Sequence, residues 1–450
     1  MSQPEHVLVV GAGLGGLRTV EQLRTAGFQG RISLVGDEPH APYDRPPLSK
    51  QVLTGEWAPE RTTLRSEEGL DELGVRTHLG MRAVALRPGE VELADGASLH
   101  ADAIVVATGL AARTLPGQPA GVHTLRTLDD ALTLRAALER AGSLLVVGGG
   151  FIGAEVASSA RTLGLAVTVL EALPVPSARA LGEELGALTG RLMTEAGVDL
   201  RTDVRIAGFV TSNADGASDS GAGDGSGVSG NGASDSGASD SGAADGGGGA
   251  GGAGDGGGQL GVALVDGSRV TADVVVLGIG GVPRLGWMDG AREAGAVPGG
   301  LPCGPTGRVD GLPGVWAVGD VAAWQDPTHG DRHRHEHWTS AGDQAATVAR
   351  DILGEPPPPP RVPYFWSDQF GLKIQLLGRP EHADTLLPLH GDGLAGGAVR
   401  GTVVGMLADG RLVAVAGFGA ARFVARYRAL LQDGADAAAA RELAATLGAR

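Results

Sequence analysis

The chain has a single cysteine, Cys303, among its 450 residues. One thiol excludes a disulfide framework and an internal CxxC redox pair, and it points to a reducing compartment, the cytoplasm. No run of 18 uncharged apolar residues occurs, so a membrane-spanning helix is not expected. Met1–His6 is short and polar and leads into strand-like sequence, so a signal peptide is not expected either. An excess of basic charge is also missing, since the formal net charge is −16. Nonspecific nucleic-acid binding needs a basic field, and no nucleic-acid partner is expected. Seven of the aspartates, with no Lys or Arg among them, lie in 211–258, leaving about −9 for the rest. Net charge therefore says little about any local docking patch.

What the chain does contain is a strand–turn–helix pattern that occurs twice. Val7–Val10 is an apolar run ending at Gly11, followed by an amphipathic stretch to Ala26 and a further strand, Ile32–Val35. Val91–Leu93 with the turn at Ala94-Asp95-Gly96 reads as part of a hairpin, and Ile104–Ala107 as a returning strand. The pattern restarts at Leu144–Val147 with Gly148, and Val167–Leu170 is its next strand. Two βαβ units so far apart predict two doubly wound domains. Residues 211–258 are almost wholly Gly, Ala, Ser and Asp, which bury too little apolar surface to offset ordering entropy, so disorder is expected. Strand-like Val204–Val210 and Gly261–Val265 flank them, so the stretch reads as an expanded β-turn loop. Val274–Ile279 and Val315–Val318 are further strands, and a helix is expected from Trp338 to Leu353. The run Pro356–Pro360 ends it and marks a boundary. Strand-like Leu372–Leu377 and Leu412–Val415, then helical sequence from Ala421, predict a smaller α+β domain. The expected class is α/β, with two Rossmann-like domains and this third one.

Each βαβ unit carries a glycine fingerprint. The first is Gly11-Ala12-Gly13-Leu14-Gly15-Gly16. Glycines at 11, 13 and 16 permit the tight turn, the close approach of a pyrophosphate, and the packing of helix on strand. The helix N-terminus then offers free N–H groups to phosphates. Asp37 and Glu38 stand where an acid binds ribose hydroxyls. The second fingerprint is Gly148-Gly149-Gly150-Phe151-Ile152-Gly153, and Glu171 closes the following strand. An acid there accepts the adenosine 2′-hydroxyl and repels a 2′-phosphate, which favours NADH over NADPH.

From residue 6 to about 380 the chain resembles the two-dinucleotide-domain flavoproteins, and more closely ferredoxin reductases of the putidaredoxin and rhodocoxin reductase type. Beyond the fingerprints, the matching motifs are Pro42-Tyr43-Asp44-Arg45-Pro46-Pro47-Leu48-Ser49-Lys50, Ala107-Thr108-Gly109 and Leu125-Arg126-Thr127-Leu128-Asp129-Asp130. Gly314-Val315-Trp316-Ala317-Val318-Gly319-Asp320, Glu336-His337-Trp338 and Phe365-Trp366-Ser367-Asp368-Gln369 complete them. The Gly/Ala/Ser/Asp stretch is the main departure. The resemblance implies that the first fingerprint holds FAD. Asp320 would hydrogen-bond the ribityl chain, Thr108 and Gly109 would pass close to the flavin, and the helix beginning at Trp338 would point its positive end at the flavin. It also places Leu14, Gly15, Arg45, Ala83, Ala107, Arg126, Gly319 and Trp366 around FAD, with Ala83 acting through its backbone, and Gly280 beside NADH. Lys50 resembles the family lysine near flavin N5, and Glu155 its ion-pair partner.

Relatives that reduce disulfides need a CxxC after the first fingerprint, and thiol-based NADH oxidases need a cysteine near position 43. Tyr43-Asp44-Arg45-Pro46 offers neither, so electrons on the flavin must leave for an outside acceptor. The resemblance implies hydride transfer from NADH to FAD and single-electron transfer to a small iron–sulfur ferredoxin serving a cytochrome P450 or a ring-hydroxylating oxygenase. Rubredoxin, a quinone, monodehydroascorbate or dioxygen as acceptor stays open, as does a non-catalytic NADH-sensing flavoprotein. His329, His333, His335 and His337 alternate in a charged loop with no cysteine nearby, and are read as a solvated loop rather than a metal site. The expected domains are 1–116 with 273–354 for FAD, 117–272 for NADH, and 355–450 as an interface domain. The protein is expected to be a monomer or weak homodimer.

Overall fold

The computed structural model describes residues 3–212, 259–288, 299–326, 330–381 and 383–448. The strand His6–Val10 is buried along its whole length. Successive side chains of a strand point to opposite faces, and here Val7 and Val9 enter one core while Leu8 and Val10 enter another. A strand covered on both faces has no solvent side, which is why it reads as an unbroken apolar run. It is central in a parallel sheet ordered Val315–Ala317, Ala103–Val106, His6–Val10, Arg31–Val35, Val75–His78. Chain order reverses between His6–Val10 and Ala103–Val106, and in such sheets ligands bind beyond the strand ends at that switch. The first fingerprint lies there, with its helix running over Leu14–Thr25.

The second sheet repeats the design. Its order is Asp199–Arg201, Ala166–Leu170, Ser143–Val147, Val274–Leu277, Val122–Thr124. Leu144 and Val146 pack to one side, Leu145 and Val147 to the other, and the second fingerprint starts the helix Phe151–Thr162. Val274–Leu277 hydrogen-bonds into this sheet, so the chain returns to the first unit at Gly281–Pro283 rather than at residue 273. The two crossings between units, Leu110–Ala112 outward and Gly281–Pro283 back, pair antiparallel as a narrow ribbon. A small sheet of Ala83–Arg87, Glu90–Leu93 and Ser98–His100 flanks the first unit, and its middle strand is the one legible in the sequence.

Ile206–Ser212 pairs antiparallel with Gln259–Leu264, with Ser212 opposite Gln259. The stretch read as disordered lies, from residue 213 on, outside the described residues. It joins two neighbouring strand ends, where two turn residues suffice. Replacing 213–258 with Asn-Gly is therefore expected to leave flavin content and NADH oxidation close to wild type. Loss of the flavin, seen in the visible spectrum of purified protein, overturns that reading of the loop.

The third unit is a five-stranded antiparallel sheet ordered Tyr364–Gln369, Leu372–Gly378, Arg411–Phe418, Val403–Ala408, Thr385–His390. One face packs against Leu181, Leu185, Leu188 and Leu192 of the second unit. The other is covered by Val424, Tyr427 and Ala440 from the C-terminal helices. Among the described residues no helix is long and apolar enough to cross a membrane.

Candidate active site

The two fingerprints fold alike, residue for residue. Gly11 (φ +118) and Gly148 (φ +102) adopt backbone angles that side chains rarely reach, and an added Cβ would lie 2.2 Å from Ala107 O and 2.5 Å from Gly278 O, respectively. Gly16 and Gly153 are pressed under them, with Cβ positions 1.8 Å from Gly11 O and 2.0 Å from Gly148 O. The middle glycines differ: a Cβ on Gly13 meets nothing within 4 Å, and one on Gly150 only Gly278 O at 3.9 Å. Gly13 and Gly150 are also the helix N-caps. Neither helix has a side-chain cap or an acid in its first turn, so the first N–H groups remain free for an anion.

The first fingerprint forms the wall of a cleft of about 630 Å3, a size suited to cofactors. Every residue assigned to FAD from the sequence lines it except Gly16, which lies beneath. Phe151 and Ile152 of the second fingerprint line it too, whereas Gly148, Gly150, Gly153, Glu171 and Gly280 lie outside. Tyr43, Asp44, Arg284, Trp287, His337 and Phe365 also line it and were not assigned to it from the sequence. For Tyr43 and Asp44, the Tyr43-Asp44-Arg45 motif was the signal. For Arg284, carried in on the returning ribbon strand, there was none.

At one end, Glu38 accepts from Tyr43 Oη at 2.5 Å and Arg45 Nη2 at 2.8 Å, and Asp37 pairs with Arg284. Burial pushes the Tyr43 phenol well above its usual range. Thr108 Oγ1 donates to Arg284 O at 3.0 Å, tying the fingerprint side to the returning strand. In the middle, Arg126 Nη2 pairs with Asp320 at 2.9 Å. Arg126 Nε and His337 Nδ1 are buried with no hydrogen-bond partner among the described residues. Such groups are costly to bury unpaired, and both belong to cleft-lining side chains, as a polar ligand requires. The uncapped helix N-termini, the open space at Gly13 and these unpaired nitrogens together fit a dinucleotide.

The helix Trp338–Ile352 also begins without a side-chain cap or an acid in its first turn, so its positive end faces the cleft uncompensated. The Trp338 indole does more than start that helix: its Nε1 donates to Asp44 Oδ1 at 2.8 Å. Burial raises the Asp44 carboxyl, and the indole hydrogen bond opposes the shift. Trp366 meets Trp338 edge-on at 6.2 Å and stacks on Tyr364 at 5.8 Å. Lys50, one of only two lysines in the chain, sits on the one-turn π-helix Leu48–Val52. Its Nζ lies 2.7 Å from Glu155 Oε2, with side chains 13% and 5% exposed.

Two readings gain detail. Histidines 333, 335 and 337 lie on the end of a short strand and in the loop after it, each half-buried rather than fully solvated. Their rings follow one another at 6.2 Å, and His337 packs on Phe365 at 5.3 Å. Burial first, and then neighbouring His335, pushes His337 down to about 4. His329 lies outside the described residues, and among those described no three His, Cys, Asp or Glu side chains converge as metal ligands. Glu171 is 9% exposed and turned onto its own glycine turn, accepting from Gly149 N at 2.7 Å and Leu173 N at 2.9 Å. Each oxygen keeps a second lone pair for a ribose hydroxyl. Cys303 is fully buried away from the cleft, donates to Leu301 O, and is pushed up to about 12 by burial.

Residues 5–227 match the pyridine nucleotide-disulphide oxidoreductase family, and residues 364–446 match the reductase C-terminal family. The ferredoxin reductase component of chlorobenzene dioxygenase from Cupriavidus sp. (strain PS12) is 36% identical over 431 residues, covering 93% of this chain and 90% of that one. Rhodocoxin reductase of Rhodococcus erythropolis is 34% identical over 84% of this chain and 79% of its own. Among solved structures, the covalent putidaredoxin reductase–putidaredoxin complex superposes with a TM-score of 0.81 at 27% identity, covering 100% of both chains. Matched along nearly its whole length by such relatives and built on two glycine cradles, the chain belongs to the pyridine nucleotide-disulphide oxidoreductases, among the ferredoxin reductases.

Proposed function

We propose that this protein is an NADH-dependent ferredoxin reductase that passes electrons singly to a small iron–sulfur ferredoxin serving a cytochrome P450 or a ring-hydroxylating oxygenase. FAD, when bound, supplies the chemistry of taking a hydride at once and releasing electrons one at a time. The observation that carries the reading is the buried Lys50–Glu155 pair in a cleft lined by no thiol. If Lys50 stands by the flavin as the resemblance implies, its fixed positive charge would favour hydride acceptance, and the electrons would then have to leave the protein. The names of the relatives, components of dioxygenase systems and a reductase joined to putidaredoxin, support a ferredoxin as the acceptor.

The chain's own residues bind and orient. Gly11, Gly13, Leu14 and Gly15, with the bare N-terminus of Leu14–Thr25, hold the FAD pyrophosphate. Asp37, Glu38 and Arg45 stand at the adenosine end, with Ala83 offering its backbone. Ala107, Thr108, Gly109, Arg126, Gly319 and Asp320 border the ribityl chain. The N-terminus at Trp338 stabilises negative charge at the flavin's far edge, with Trp366 alongside. Gly148, Gly150, Phe151, Ile152, Gly153 and Gly280 receive NADH, and Glu171 discourages a 2′-phosphate. Residues 1–116 with 278–354 form the FAD domain, 117–277 the NADH domain, and 355–450 an interface domain. We assign a cytoplasmic monomer or weak homodimer with no nucleic-acid partner, in keeping with its acidic charge.

The test is NADH-driven cytochrome c reduction with and without candidate ferredoxins. A cognate ferredoxin is expected to raise turnover well above that of the flavoprotein alone. If none does, the acceptor is of another kind.

A further inference from the structure

Glu155 is held by more than Lys50. Its Oε2 also accepts from Ser49 Oγ at 2.5 Å, and its Oε1 accepts from Ser367 Oγ at 2.6 Å and Asp368 N at 3.3 Å. The donors come from the π-helix of the first unit and from the first strand of the third, while Glu155 belongs to the second. The same helix secures both neighbours. Ser159 Oγ donates to Ser49 O at 2.6 Å, and Ser158 Oγ accepts from Phe370 N at 2.8 Å.

The direction of these bonds is fixed by chemistry. A carboxylate paired with an ammonium has no proton to give, so Ser367 must donate to it. The lone pair of Ser367 is then free to accept, and Gln369 Nε2 donates to it at 2.9 Å. Ser367 and Gln369 are 0% and 1% exposed, and neither lines the cleft. The amide is turned this way although Gln369 Oε1 is left buried without a hydrogen-bond partner among the described residues. Flipped, it would set an acceptor against an oxygen whose only proton is already committed.

We infer that Ser367, oriented by Gln369, is a positioning residue for hydride transfer. It anchors Glu155 Oε1 so that Oε2 holds the Lys50 ammonium at the hydride-accepting end of the cleft. The inference rests on the proposed function only in that the cleft holds FAD and NADH reduces it. The terminal torsion of a glutamate is broad and two-fold, and a lysine ammonium sits on a flexible four-carbon stem. Without Ser367, Oε1 keeps only the longer Asp368 N–H contact, so the carboxylate is freer to turn and the ammonium to follow it.

The experiment compares Ser367→Ala, Ser367→Thr, Lys50→Met and the double variant Ser367→Ala/Lys50→Met as purified holoenzymes. Stopped-flow absorbance gives the rate of flavin reduction by NADH, and dye-coupled titration without NADH gives the flavin midpoint potential. Ser367→Ala is expected to reduce the rate about tenfold, the scale of one charge-assisted hydrogen bond, and to lower the potential at unchanged FAD content. Ser367→Thr is expected to restore both. In the Lys50→Met background, Ser367→Ala should change neither, because its effect runs through the lysine. An equal fold-loss in both backgrounds, or an unaltered rate in Ser367→Ala, overturns the inference. Should the alanine variant fail to fold, Ser367→Cys, of similar volume and a weaker donor, takes its place in the same comparison. No ferredoxin enters these assays, so a wrong acceptor leaves their outcome intact. A wild-type protein whose flavin NADH does not reduce sinks the functional reading instead.

Discussion

Lys50→Met is expected to slow reduction of the flavin by NADH about 100-fold, with a much smaller change in the KM for NADH. Fixed charge placed where negative charge develops carries roughly two to three orders of magnitude in rate when removed from a water-poor site. Lys50 is 13% exposed and lines the cleft, and on the proposed function its ammonium would stand where the flavin takes the hydride. Methionine keeps most of the stem volume and removes only the charge. Breaking a buried ion pair usually destabilises a fold by about 3–5 kcal/mol because the survivor is left unpaired. Here Glu155 retains Ser49, Ser367 and the Asp368 amide, so the fold is expected to survive and the loss to fall on the rate. Single-turnover absorbance of the flavin after mixing with NADH reads it directly. A rate within about twofold of wild type, the scale of an ordinary surface substitution, removes Lys50 from the machinery.

The second large effect separates two glycines that lie two residues apart. Gly11→Ala forces a Cβ to within 2.2 Å of Ala107 O at a backbone angle of φ +118, so the protein itself is destabilised. Gly13→Ala meets no protein atom within 4 Å. Its methyl projects into the space that a pyrophosphate would fill above the helix N-terminus. Gly13→Ala is therefore expected to fold with a near-wild-type apoprotein melting temperature while losing about 10- to 100-fold in FAD affinity, the scale of an overpacked contact. Differential scanning fluorimetry of the apoproteins and flavin titration give the two readouts. If Gly13→Ala retains FAD as tightly as wild type, the pyrophosphate does not cross that turn.

Much of this frame is readable in the sequence because its determinants are local. Val7–Val10 and Leu144–Val147 are apolar runs ending in glycine, and the turn that follows depends on residues at fixed short offsets. What the sequence hides are contacts between distant residues. The Trp338 indole meets Asp44 across 294 positions, so the sequence suggested a helix end but not what the side chain does. Thr108 reaches Arg284 O across 176 positions, and no motif marks Arg284. Glu171 was legible as the acid closing a strand, but not as a group folded onto its own glycine turn. For the histidines the loop was legible but their partial burial was not, because the packing of Phe365 against His337 comes from a strand of the third unit.

The narrow ribbon of Leu110–Ala112 and Gly281–Pro283 has a consequence for descent and for engineering. The chain leaves the first unit and comes back to it through adjacent, hydrogen-bonded strands, so the second unit is a cassette with neighbouring ends. Segments with neighbouring ends can be inserted or exchanged without stretching the host. Two splices made side by side in that ribbon would graft a foreign coenzyme module onto this flavin frame. The same geometry describes how one ancestral half could have come to lie inside a copy of itself.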